Sequence, residues 1–114
     1  MHVAVNGWFW GDSAVGSGQY LSRLLPALRQ TRPDLHLTVV VPSSEHAPPL
    51  PDGVNLMAVG GGRGKLSKVW FEQQRFPSAV AKLNADLAFI PYWGSPLRSP
   101  APLVTMVLDM IPAL

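Results

Sequence analysis

The sequence predicts an α/β domain: an open parallel β-sheet of about five strands, in the spatial order 3-2-1-4-5, with helices packed against it. Three observations predict it. Short apolar runs rich in β-branched residues alternate with longer runs of helical period, the pattern that builds parallel sheets. The short runs are continuously apolar, as in His2-Val3-Ala4-Val5-Asn6, which suits strands buried on both faces. The first run passes through a glycine-containing turn, Asp12-Ser13-Ala14-Val15-Gly16-Ser17-Gly18-Gln19-Tyr20, into an amphipathic segment. Strand, turn and helix in that order present backbone N–H groups to an anion.

The elements follow in order. Val3, Ala4 and Val5 form the first strand, and the aromatic run Trp8-Phe9-Trp10 follows its C-terminal end. Three adjacent aromatic rings cannot all enter one core, so at least one is expected at the crevice where open α/β sheets bind ligands. From Gln19 to about Gln30, Leu21, Leu24, Leu25 and Leu28 share a helical face, while Arg23, Arg29 and Gln30 lie away from it. Pro26 falls inside that helix and costs about 3 kcal/mol unless a kink absorbs it. Residues 35–41 read as the second strand and 54–59 as the third, separated by a polar, proline-dense connection with no helical pattern. Gly60 to Gly64 reads as a flexible loop, with a second phosphate cradle as the alternative. Residues 66–83 read as helix with a break, a second segment starting at Pro77, whose missing N–H costs nothing in a first turn. Residues 86–90 form the fourth strand, with Tyr92 and Trp93 leaving its end. Pro100-Ala101-Pro102 enters a fifth strand, 103–108, and Asp109 follows it.

Composition narrows the function. The 114 residues are 47% hydrophobic and carry a net charge of +2, enough apolar material for one domain spanning residues 1–114. The basic residues are scattered, with a loose cluster at 63–68, which argues against a nucleic-acid partner. The absence of cysteine excludes disulfides and thiolate metal sites. His2, His36 and His46 are far apart in sequence and read as structural or exposed, so no metal is expected. No apolar run reaches the roughly 18 residues of a membrane span, and no signal-peptide pattern precedes the first strand. A cytoplasmic location is expected, either free or at the inner face of the membrane.

Two nucleotide-binding fingerprints fail. A dinucleotide G-x-G-x-x-G pattern beginning at Gly16 needs glycine where Leu21 stands, and a Walker pattern ending at Lys65 needs glycine at Val59 and Ser or Thr at Leu66. No nucleophile–base set, paired carboxylates or metal-ligand spacing is visible. The turn at 12–20 therefore has two readings from its residues: a phosphate site, or a strand-to-helix turn that merely needs glycine.

Four landmarks in order add a resemblance. They are the strand into Asn6-Gly7-Trp8-Phe9; Gly16-Ser17-Gly18-Gln19-Tyr20 opening a Leu-rich helix; Trp70-Phe71-Glu72-Gln73-Gln74-Arg75-Phe76-Pro77 leading to Asn84-Ala85-Asp86-Leu87; and Val104-Thr105-Met106-Val107-Leu108-Asp109-Met110-Ile111-Pro112. Together they resemble the N-terminal, acceptor-side half of retaining family 4 glycosyltransferases, whose GT-B architecture sets two Rossmann-like domains face to face. The third is similar to W-x-E-Q-x-x-L-P and the fourth to V-x-T-x-H-D-L-I-P in that family.

The resemblance implies transfer of a hexose from a nucleotide sugar to a glycan or lipid-linked acceptor, with retention at the anomeric carbon and no cofactor or metal beyond the donor substrate. It implies that Gly16, Ser17, Gly18 and Gln19 approach the donor phosphates, that Trp8, Phe9, Trp10, Tyr92 and Trp93 wall the acceptor side, and that Asp109 is catalytic. Leu108 stands where the family often has histidine, which bears on turnover or sugar preference. The donor-binding domain, with its glutamate pair, has no counterpart in these residues. The expectation is a fragment that needs that domain as partner and is inactive alone, prone to self-association through Leu103, Met106, Val107 and Leu108. The alternative is a stand-alone, non-catalytic module binding a glycan or a protein.

Overall fold

The computed structural model describes residues 1–12, 15–43, 47–62, 64–92 and 94–106. Five strands, β1 (His2–Asn6), β2 (His36–Val41), β3 (Val54–Ala58), β4 (Leu87–Ile90) and β5 (Leu103–Thr105), form one sheet in the order β3-β2-β1-β4-β5. Every pairing is parallel: Val3 sits opposite Leu37 on one side and Leu87 on the other. The predicted order is the observed one, and β1 is central.

The two-residue period of the strands divides the core between the faces. Val3, Val5, Leu37, Val39 and Val41 meet Leu21 and Leu25 of helix α1 (Gly16–Thr31). Ala4, Val40, Ala88 and Ile90 point the other way, onto Phe71, Phe76, Ala79 and Val80. Burial on both faces explains the apolar runs Val3–Val5 of β1 and Val39–Val41 of β2. Strand β3 lies at the sheet edge and leaves Leu56 exposed.

Helix α1 starts three residues earlier than its amphipathic pattern, at Gly16 rather than Gln19. Leu24 and Leu28 are half-buried beside Leu21 and Leu25, and Pro26 is exposed, so its disruption falls on the solvent side. Arg29 does not simply point away: its guanidinium donates to the carbonyls of Asp52 (3.2 Å), Pro33 (3.1 Å) and Leu35 (3.3 Å), tying two connections to the helix end.

The expected break in the second helical region is a change of helical pitch. Helix α2 (Lys65–Trp70) runs through a π-helical turn, Phe71–Arg75, into helix α3 (Phe76–Lys82). Phe71 and Phe76 are five residues apart, and a wider turn lets both rings face the sheet, with centroids 6.3 Å apart. Arg75 is thereby turned toward the Val59 carbonyl, to which it donates at 2.9 Å. Pro77 supplies no N–H for the carbonyl four residues back, which favours the pitch change at that place. No helix of the described residues is long and apolar enough to cross a membrane.

Candidate functional site

The chain reverses direction across the sheet once. Strands β1, β2 and β3 run outward on one side of β1, and the next connection returns to place β4 on the other. The crevice at the C-terminal ends of β1 and β4 is therefore the switch point, where open α/β sheets bind ligands.

The loop after β1 is a series of tight turns. Trp10 N–H donates to the Gly7 carbonyl and Asp12 N–H to the Phe9 carbonyl, both at 2.9 Å. Gly11 has φ +90°, a conformation a side chain would oppose, so it is the residue that needs left-handed backbone. Gly16 and Gly18 do not have positive φ: they lie in the first turn of α1. Gly18 is there because of close approach. A β-carbon on it would fall 1.9 Å from the Asp12 carbonyl oxygen and 2.9 Å from that of Phe9. Gly16 has nothing within 4 Å of its β-carbon position.

Gln19 N–H donates to the Val15 carbonyl at 3.1 Å, so the N–H groups of Gly16, Ser17 and Gly18 precede the first bond inside the helix. Val15, the N-cap residue, makes no side-chain capping bond, and no acidic residue lies in the first turn of the helix, although Asp12 lies beside it. Beside it is a shallow hollow of about 250 Å³ walled by Trp10, Asp12, Gly18, Ser22 and Pro48.

The switch point itself is filled by a polar chain. Asn6, wholly buried at the end of β1, donates from Nδ2 to the Tyr92 hydroxyl at 2.9 Å and accepts from Trp8 N–H at 2.9 Å. The Tyr92 hydroxyl in turn bonds to Glu72, and Glu72 pairs with Lys68 at 2.8 Å. Lys68 Nζ also lies 5.0 Å from the centre of the Tyr92 ring and 5.8 Å from that of Phe9. Burial pushes the Tyr92 hydroxyl well above the usual tyrosine range, and the adjacent Glu72 carboxylate adds to the shift. The Tyr92 hydroxyl thus links Asn6, from which it accepts, to the Glu72 carboxylate, to which it donates. Gln73 fixes the following loop, accepting from Leu97 N–H at 2.8 Å and donating to the Ser95 carbonyl at 3.2 Å.

The expected aromatic wall is corrected by these positions. Trp8, Trp10 and Tyr92 are 6%, 7% and 4% exposed and belong to the core; Trp8 packs on Phe71 with centroids 5.4 Å apart. Phe9 is half-buried and meets Tyr92 edge-on. Trp10 borders the hollow beside α1, and its indole N–H donates to the Pro48 carbonyl at 3.0 Å. Trp93 and Asp109, together with Val107 and Leu108, lie outside the described residues. The polar pair Lys68–Glu72 was not singled out as a site, although its four-residue spacing on a helix was the available signal.

Among the described residues no group of three or more His, Asp or Glu side chains is placed to hold a metal ion. His2 and His36 stand at the opposite end of the sheet, in register and stacked with ring centres 4.1 Å apart. No protein-family model, curated protein or solved structure matches this chain.

Proposed function

We propose that this chain is the acceptor-side domain of a retaining family 4 glycosyltransferase, acting on a nucleotide-sugar donor and a glycan or lipid-linked acceptor. The observation that carries the reading is the glycine-containing start of α1, which follows the central strand beside the switch point of a 3-2-1-4-5 parallel sheet. In this reading Gly16, Ser17 and Gly18 turn their N–H groups to the donor phosphates, Gln19 lies beside them with its own N–H bonded to the Val15 carbonyl, and Asp109 contacts the reacting sugar. A donor-binding domain supplies the other wall of the cleft. The reading includes self-association through the outer edge of β5.

One observation favours the alternative, a non-catalytic binding module: Asn6, Tyr92, Glu72 and Lys68 fill the crevice between β1 and β4 with their own hydrogen bonds. Amide-resolved NMR titration with UDP-glucose and GDP-mannose distinguishes the two. The transferase reading expects shifts concentrated at the amides of residues 16–19. No shift there at millimolar donor contradicts it.

A further inference from the structure

Trp70, Gln74, Ser78 and Lys82 recur at four-residue intervals and line one side of an open hollow of about 420 Å³. Met57 and Val59, at the end of the edge strand β3, form the other side, and Arg75 closes the upper end. None of these residues belongs to the polar chain at the switch point or to the start of α1. The volume lies within the range of small-molecule sites.

The lining has a definite chemistry. Among the described residues it contains two cations and no carboxylate, which gives it a positive field. Arg75 is anchored by its bond to the Val59 carbonyl, and Gly61 lies against the guanidinium. A guanidinium has five N–H donors and the carbonyl uses one, which leaves a pre-oriented group for an anion. Trp70 is 55% exposed, unusual for so large an apolar ring, and forms the wall shared with a second hollow of about 300 Å³ that Arg75 and Gly61 also line. An exposed indole face suits the C–H face of a sugar ring, while the Gln74 amide and the Ser78 hydroxyl offer donors and acceptors for ring hydroxyls.

We propose that this groove binds an anionic pyranose, with the sugar ring stacked on Trp70 and its phosphate or carboxylate held by Arg75 and Lys82. The site is independent of the donor reading above.

Isothermal titration of the intact chain tests it with four probes: glucose 1-phosphate, glucuronate, methyl glucoside and inorganic phosphate. Both acidic sugars, or the one whose charge the groove prefers, are expected to bind, with methyl glucoside and phosphate weaker by about tenfold or more. The stronger acidic sugar identifies whether phosphate or carboxylate is the natural charge. Trp70→Ala and Lys82→Glu alter exposed side chains and should keep the wild-type melting curve. Each is expected to weaken the acidic sugar by about tenfold. Failure of both acidic sugars to bind at millimolar concentration, equal binding of phosphate or methyl glucoside, or unchanged affinity in the Trp70 variant overturns the proposal. The amide shifts at residues 16–19 are a separate readout, so failure here leaves the donor reading standing.

Discussion

At the scale of single residues, Tyr92 shows how an aromatic side chain can be read correctly in position and wrongly in role. Its place just after β4 was legible, and an aromatic there suggested an open ligand wall. The hydroxyl decided otherwise: it accepts from Asn6 and bonds to Glu72, and satisfying it draws the ring inward. Tyr92→Phe should leave Asn6 Nδ2 without this partner and Glu72 with Lys68 alone of the two, at a cost of about 1–3 kcal/mol. Urea unfolding measures this, and an unchanged midpoint would remove the network from the account. The histidine pair was illegible for a different reason. His2 and His36 are 34 positions apart, and only the parallel register of β1 and β2 stacks them.

Burial and the neighbouring His36 hold His2 below its usual pKa of 6.5; Asp86 and the Leu83 backbone oppose this, while the N-terminal amine reinforces it. Thr38 Oγ1 lies 2.8 Å from His2 Nε2, and the Asn55 amide donates to His36 Nε2 at 2.7 Å. A depressed folded pKa means that the unfolded chain binds the proton first. The stabilising contribution is complete above the unfolded value and declines as pH falls from there through the folded one. Urea midpoints should drop between pH 7.5 and pH 5.5, and less steeply in His2→Gln. Equal slopes in the two proteins would contradict the assignment.

At the scale of elements, most of the architecture was legible because central parallel strands advertise themselves. Val3–Val5 and Val39–Val41 are unbroken apolar runs since both faces are covered there, and the strand order followed. The π-helical turn was not legible, since it answers a tertiary demand: Phe71 and Phe76 must both meet the sheet while Arg75 reaches Val59. The glycine turn was legible as a place but not in its mechanics. Its glycines serve close approach at Gly18 and open space at Gly16, and left-handed backbone falls to Gly11. With a β-carbon 1.9 Å from the Asp12 carbonyl oxygen, Gly18→Val is expected to lose about 3 kcal/mol. A wild-type thermal melt for Gly18→Val would refute that packing.

At the scale of the whole molecule, the sheet ends in two different edges. Strand β3 borders the groove beneath Trp70, while β5 presents Leu103 and Val104, the latter 43% exposed. Met106, expected to be uncovered, is half-buried. An exposed apolar edge strand is a template for pairing. If the proposed self-association uses it, sedimentation equilibrium should detect dimers that Val104→Lys abolishes. Dimers that persist in the variant, or a wild-type monomer at high concentration, would exclude that route.

The central claim is that the start of α1 receives the phosphates of a nucleotide sugar. Gly16 allows a clean test, because its β-carbon position is open and an acidic residue in a first helical turn is favourable for the helix. Gly16→Asp should therefore keep the melting temperature while placing a negative charge against the donor phosphates. The decisive measurement is calorimetric titration of UDP-glucose and GDP-mannose into the wild-type chain and Gly16→Asp. The account predicts affinity reduced by about tenfold or more in the variant, with thermal stability unchanged. Equal affinity in the two proteins would contradict it.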